Sequence, residues 1–253
     1  KGRKGGAAMK ILITGYGKMG RMVEELAQQK GWEILAALDG QDAKLLRQLK
    51  KADAAVDFSH PAMLDPLANY IRRTGTPLIS GTTGYSEEQM DVLRQLGKSA
   101  AVLYSANYSL GVALLRRILE NFGPMLLADF DVELVEKHHN QKADAPSGTA
   151  KMLADALDPH RRLRRISGRE GFCGARDRDE MGMFALRGGT VAGEHTLYFF
   201  GEDETLSFSH SAASRRIFAA GAVKAAELLA GKDPGFYTLD EILFSTADTE
   251  RMD

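Results

Sequence analysis

Lys10-Ile11-Leu12-Ile13-Thr14, followed by Gly15-Tyr16-Gly17-Lys18-Met19-Gly20, reads KILIT-GYGKMG. KILIT is short, apolar and β-branched, which predicts a buried strand. Arg21–Gln29 (RMVEELAQQ) then follows in helical period. Strand, glycine-rich turn and helix in that order form the opening unit of a doubly wound sheet. Working outward, Glu33–Leu38, Ala54–Phe58, Pro77–Ser80 and Ala101–Tyr104 are further short strand-like runs. Pro66–Arg73 and Ser86–Gly97 between them have helical character, the second opened by a capping box of Ser86 and Gln89. The alternation predicts an α/β fold with a parallel sheet of Rossmann type.

The pattern changes further on. Gly111–Phe122 reads as a helix. Phe130–His138 alternates, with Phe130, Val132 and Leu134 on one face and Asp131 and Glu133 on the other, as in a strand with one wet face. Met183–Leu186, Glu194–Phe200 and Glu204–His210 are also strand-like, so a mixed or antiparallel sheet is expected here. Ser214–Leu229 returns to helix. The expected organisation is one domain from residues 1–108 plus 215–253, carrying an inserted α+β domain of residues 109–214. KGRKGGAA at the start lacks the apolar centre of a signal peptide, and residues 1–8 read as an addition ahead of a native start at Met9.

Bulk properties narrow the function classes. With 253 residues, 44% of them hydrophobic, the chain has enough apolar surface for two modest cores. Lys+Arg number 33 and Asp+Glu 34, which excludes the broad positive field of a nucleic-acid binder. The one basic cluster, Arg161, Arg162, Arg164, Arg165 and Arg169, reads as a solvated face or a ligand rim. Cys173 stands alone, so no disulfide framework or thiolate metal centre is expected, and no metal ligands are assigned. No stretch reaches the roughly 18 apolar residues of a membrane span. A cytoplasmic protein without nucleic-acid or membrane partners is expected. His60, before Pro61, reads as a turn residue, and His195 and His210 as strand or interface residues.

Gly15, Gly17 and Gly20 form G-x-G-x-x-G directly after a strand and before a helix. In that context the first glycine makes the tight turn, the second lets the backbone approach a pyrophosphate, and the third permits close helix–strand packing. Asp39 closes the second strand 24 residues after Gly15, near the position of a ribose-binding acid. No arginine follows it, so a 2′-phosphate would meet a carboxylate without an adjacent guanidinium, and Lys18 or Lys44 would have to compensate. NADH, NADPH or both are therefore candidate cofactors. Gly81-Thr82-Thr83-Gly84 and Ser105-Ala106-Asn107-Tyr108 end the fourth and fifth strands, where open sheets face their ligands.

The densest chemistry lies between His138 and Ala150 (HHNQKADAPSGTA). Two histidines and Lys142 fall within five residues, and Ser147-Gly148-Thr149 reads as a capped helix start. Cationic groups beside free helix N–H groups suit a small anion that must also accept a proton.

This stretch, H-H-x-x-K-x-D-A-P-S-G-T-A, resembles the signature of the dihydrodipicolinate reductase (4-hydroxy-tetrahydrodipicolinate reductase) family. GTTG at 81–84, SANYS at 105–109, RGG at 187–189, GEH at 193–195 and SHSAASRRIFAAGAVKAA at 209–226 resemble it in the same order, from Met9 to about Phe244. The resemblance implies NAD(P)H-dependent reduction of a cyclic dicarboxylate, (2S,4S)-4-hydroxy-2,3,4,5-tetrahydrodipicolinate, with loss of water. It implies that His138 is a proton donor/acceptor and Lys142 a proton donor. His139, Gly148 and Thr149 match substrate-binding positions, and Ser147 opens the same helix. Gly15, Tyr16, Gly17, Lys18, Met19, Gly20, Asp39, Gly81, Thr82, Thr83, Ser105, Ala106, Asn107 and Tyr108 match cofactor positions. It also implies a homotetramer built through the sheet of the inserted domain, which would serve substrate binding and oligomerisation. The chain departs from the pattern in its shorter glycine loop, in Gly40 where many members have arginine, in Tyr108 where phenylalanine is commoner, and in the short stretch from Asp39 to Ala54. These bear on cofactor preference rather than on the reaction. Two other classes stay open. One is a different two-domain NAD(P)-dependent amino-acid dehydrogenase, separated by a substrate screen. The other is a non-catalytic dinucleotide sensor, which would tolerate loss of His138 and Lys142.

Overall fold

A computed structural model describes residues 8–244; residues 1–7, and with them most of the supposed N-terminal addition, lie outside the described residues. In chain order the elements are β1 (Lys10–Thr14), α1 (Lys18–Gln29), β2 (Glu33–Leu38), a 3₁₀ turn at Gly40–Arg47, β3 (Ala54–Asp57), α2 (Leu64–Thr74), β4 (Leu78–Ser80), α3 (Glu87–Leu96) and β5 (Ala101–Tyr104). Then come α4 (Leu110–Asp129), β6 (Asp131–His138), α5 (Gly148–Leu157), β7 (Arg164–Ile166), β8 (Glu180–Arg187), β9 (Glu194–Phe200) and β10 (Thr205–Ser211). α6 (Arg216–Leu229), β11 (Gly235–Tyr237) and α7 (Leu239–Leu243) complete the described chain. It divides into two compact units, one running up to Leu110 and resuming at Arg216, the other Gly111–Arg215. Among the described residues no helix is long and apolar enough to cross a membrane.

The first unit is built on a six-stranded sheet in the order β11-β5-β4-β3-β1-β2, parallel throughout. Ile11, Leu12, Ile13, Ala54, Ala55 and Val56 are fully buried, so β1 and β3 are continuous apolar runs rather than alternating ones. That is the signature of strands covered on both faces. The order of strands reverses at β1, with β2 on one side and β3 on the other, which puts a topological switch point at their carboxyl ends. Helix α6 packs on this unit, and Arg216 at its start reaches Glu25 and Gln29 of α1 at 2.8 and 3.1 Å.

The second unit holds a mixed sheet, β10-β9-β6-β8-β7, with β6 and β7 parallel to β8 and the pairs through β9 antiparallel. Val132, Leu134, Met181, Met183, Leu197 and Phe199 turn one face toward Leu115 and Leu119 of α4 and Leu153 and Leu157 of α5. The alternation of β6 continues to its end, so Glu136 and His138 lie on this covered face.

Several element bounds differ from the sequence expectation. Helix α4 continues seven residues past Phe122, through Pro124, because Leu126 and Leu127 still pack on the apolar core. β8 starts at Glu180 rather than Met183, since Glu180 is matched by Arg164 at 2.6 Å and Arg169 at 3.0 Å. The short β7 and β11, three residues each, carry too little pattern to be read. The arginine cluster is not simply a solvated face or ligand rim. Arg169 pairs with Glu133 and Glu180, both at 3.0 Å, and Arg165 lies 3.5 Å from Asp158 with its side chain 25% exposed. These arginines tie the segment after α5 to the sheet, in answer to carboxylates spread along the sequence.

Candidate active site

In the first unit Gly15 has φ +83°, and a Cβ there would sit 2.1 Å from the Phe58 carbonyl oxygen. Only glycine lets β1 turn this close to the end of β3. A Cβ on Gly20 would meet the Gly15 carbonyl at 2.3 Å, so this position needs glycine for helix–strand contact. Gly17, by contrast, faces open space. Helix α1 starts at Lys18 rather than Arg21, so Lys18, Met19 and Gly20 form its first turn, with no side-chain cap and no acidic residue there. Uncapped N–H groups at the positive end of a helix beside open space fit the pyrophosphate of a dinucleotide.

Asp39 accepts the Tyr16 N–H at 2.6 Å, and its own N–H donates to Asp42 at 3.2 Å. The second carboxylate, Asp42, adds negative charge beside Asp39. Arg21 stacks 4.7 Å over the Tyr16 ring, whose hydroxyl bonds Glu24.

Below this crevice lies Asp57, fully buried at the end of β3. Its carboxylate accepts from the hydroxyls of Thr14 (2.7 Å), Ser59 (2.5 Å), Ser80 (2.9 Å), Thr82 (2.8 Å) and Tyr85 (3.1 Å). Burial, followed by the nearby Asp57 charge, pushes the Tyr85 hydroxyl well up, so it remains a donor. This cluster fastens the ends of β1, β3 and β4 to one another, and with them the Gly81-Thr82-Thr83 turn. Thr82 also accepts the Ser59 N–H at 2.8 Å. Ser105 and Asn107 are bound into their own turn, with the Ser105 hydroxyl donating to the Asn107 carbonyl at 2.7 Å. Tyr108 is 1% exposed, and its hydroxyl donates to the Ser80 carbonyl at 2.8 Å. Its side chain is therefore part of the interior, and only its backbone is left for a ligand.

In the second unit His138 ends β6, and its Nδ1 lies 2.6 Å from the Glu136 carboxylate. His195 on β9 packs edge-on against the His138 ring at 5.2 Å. Ser147 caps α5, its Oγ accepting the Ala150 N–H at 3.1 Å and lying 3.0 Å from His195 Nε2. A Cβ on Gly148 would meet nothing, so the helix start is open there. Lys142 pairs with Asp144 at 2.8 Å, and this ammonium holds the Asp144 carboxyl below the usual carboxylate range. Arg187 bonds Glu136 and the Asp144 carbonyl, tying the loop after β6 to β8. His139 lies 3.5 Å from Arg215. Thus His138, Lys142, Ser147 and Gly148 belong to one loop and helix start, joined by Glu136, Arg187 and His195. Glu136 was signalled by the strand alternation that placed it inside. His195 and Arg187 fall in the GEH and RGG motifs but come from strands distant in sequence. His60 caps the turn at Pro61, its ring accepting the Ala62 N–H at 3.2 Å.

Residues 9–108 match the family described as dihydrodipicolinate reductase, N-terminus, and residues 111–243 match dihydrodipicolinate reductase, C-terminus. The chain is 43% identical over 243 residues to the 4-hydroxy-tetrahydrodipicolinate reductase of Staphylococcus epidermidis, covering 92% of this chain and 100% of that one. It is 39% identical over 249 residues to that of Exiguobacterium sibiricum, covering 95% and 98%. The fold is similar to that of a dipicolinate-bound dihydrodipicolinate reductase from Paenisporosarcina sp. TG-14, with TM-score 0.76, 21% identity and coverage of 94% and 100%. An amine dehydrogenase from Mycobacterium smegmatis shares the fold at TM-score 0.58 and 14% identity, covering 92% and 96%. With both family halves matched in order across almost the whole described chain, the protein belongs to the dihydrodipicolinate reductase family.

Proposed function

We infer that the chain catalyses the NAD(P)H-dependent reduction of (2S,4S)-4-hydroxy-2,3,4,5-tetrahydrodipicolinate to tetrahydrodipicolinate with loss of water, a step of diaminopimelate and lysine biosynthesis. The observation that carries this reading is that His138 at the end of β6 is followed, in one connecting segment, by Lys142 and an open, Ser147-capped helix start. A bound nicotinamide cofactor supplies the hydride. Gly15, Tyr16, Gly17, Lys18, Met19 and Gly20 take its pyrophosphate, Asp39 its ribose, and the Gly81–Thr83 and Ser105–Tyr108 turns its nicotinamide end.

The remaining work falls to the second unit. The Ser147–Thr149 helix start receives a substrate carboxylate at its open Gly148, supported by His139, while the Ser147 N–H itself donates to Glu136. Fixing the ring in this way lowers the entropic part of the barrier. Hydride delivery leaves electron density on the ring, which a positioned acid must quench. His138 and Lys142 are assigned as those acids, a contribution of about 10²–10⁴ in rate.

We propose a homotetramer formed through the open face of the second sheet. This is supported by the stacked Tyr198 and Phe200 rings on that face, 5.8 Å apart, with Phe200 43% exposed. A cytoplasmic location accords with the single cysteine and the biosynthetic reaction. The test is a coupled assay that supplies freshly generated substrate and follows nicotinamide absorbance with each cofactor in turn.

A further inference from the structure

Glu136 is fully buried, where a carboxylate is costly unless it is paired and hydrogen-bonded. It accepts from both Nη atoms of Arg187 at 2.8 Å, from the Ser147 N–H at 3.0 Å and from His138 Nδ1 at 2.6 Å. Burial opposes its ionisation, but Arg187, His138 and the Ser147 N–H together hold its carboxyl below the usual range. An ionised carboxylate can only accept hydrogen bonds, so the proton between the two side chains resides on His138 Nδ1. His138 Nε2 points the other way, toward Gly193, where a Cβ would come within 3.1 Å of it. The glycine leaves Nε2 approachable.

We propose that Glu136, clamped by Arg187, is a positioning residue that fixes His138 in its Nδ1–H tautomer, makes Nε2 the proton-donating atom, and ties that atom to the substrate-binding helix start through the Ser147 N–H. The inference rests on the role of His138 as proton donor. In the charged imidazolium both ring nitrogens carry protons. The Nε2 proton passes to the ring atom bearing the electron density left by hydride delivery, and that density forms the new bond. His138 is left neutral with its proton on Nδ1, already bonded to Glu136, so no ring flip is needed before reprotonation. One carboxylate thereby sets the distance between the acid and the anion site, which a histidine on a free loop would not maintain. A wrong tautomer is costly in such a pair even when geometry survives.

The test is a double-mutant cycle on the intact enzyme with Glu136→Gln and His138→Gln, joined to ¹⁵N NMR of the His138 ring. Glu136→Gln alone is expected to lower kcat about tenfold or more, with a smaller change in KM. In the His138→Gln background the same substitution is expected to change kcat less than about twofold, because residues acting as a unit are not additive. In the wild type the neutral ring is expected to show a protonated Nδ1 and a bare Nε2. Multiplying losses in the double variant, or a bare Nδ1 in the wild type, would overturn the proposal. Should Glu136→Gln not fold, Glu136→Asp keeps the charge but withdraws the carboxylate by one methylene, and the same cycle applies. Near-normal kcat in His138→Gln is a different failure: it removes the acid assignment itself and the inference with it.

Discussion

Ser147 Oγ lies 3.0 Å from His195 Nε2, so the cap of α5 and a buried imidazole share one hydrogen bond. Burial, followed by repulsion from His138, pushes the His195 pKa down from 6.5 to about 4. The native ring thus stays neutral well below pH 6.5, whereas the unfolded ring takes up a proton there. Stability from this group is complete above 6.5 and is lost as pH falls toward 4, by up to about 3 kcal/mol. Melting temperature should decline over that window, and less steeply in His195→Gln. Equal slopes for the two proteins would remove this account of the ring.

Lys142 is held by exposed Asp144 and His138 by buried Glu136, yet neither carries the apolar core. Lys142→Ala and His138→Gln are each expected to lower kcat by about 10²–10⁴, with little change in melting temperature. Purified variants that turn over near normally, or that lose their fold, would contradict the assignment.

The dinucleotide turn was legible because glycine is required by contact: Gly15 and Gly20 lie against backbone carbonyls. The helix cap at Ser147 was legible because its chemistry is local, a hydroxyl followed three residues later by the N–H it accepts. Asp57 was not, because its five hydroxyl partners come from the ends of β1 and β4 and from the segments that follow β3 and β4. His195 and Arg187 escaped for the same reason: β8 and β9 pair with β6 across long loops, and no spacing in the chain records that register. The arginine cluster is largely exposed, as its composition suggests, but the ion pairs of Arg169 were not legible because Glu133 and Glu180 lie outside the cluster in sequence.

Asp39 and Asp42 place two carboxylates at the end of β2, with Gly40 where a guanidinium would offset a 2′-phosphate. NADH should therefore be used at least as well as NADPH, since like charges repel at this range. Steady-state kinetics with both cofactors decide it. A kcat/KM for NADPH about ten times that for NADH would contradict the reading and direct attention to Lys18 and Lys44.

A Cβ at Gly148 meets no protein atom, so Gly148→Val should fold while crowding the helix start. Pyridine-2,6-dicarboxylate should bind the wild type in competition with substrate, more weakly as salt is added. The variant should bind it less tightly and bind cofactor as before. Titration of both ligands into both proteins checks this. Unchanged dicarboxylate affinity, or equal loss of cofactor binding, would move the carboxylate site elsewhere.

Freshly generated (2S,4S)-4-hydroxy-2,3,4,5-tetrahydrodipicolinate, mixed with enzyme and NADH or NADPH, should oxidise the nicotinamide in step with the appearance of tetrahydrodipicolinate. The rate should collapse in Lys142→Ala while that variant still binds cofactor. Cofactor left reduced by the folded wild-type enzyme in the presence of this substrate, or oxidised equally fast without it, would contradict the account.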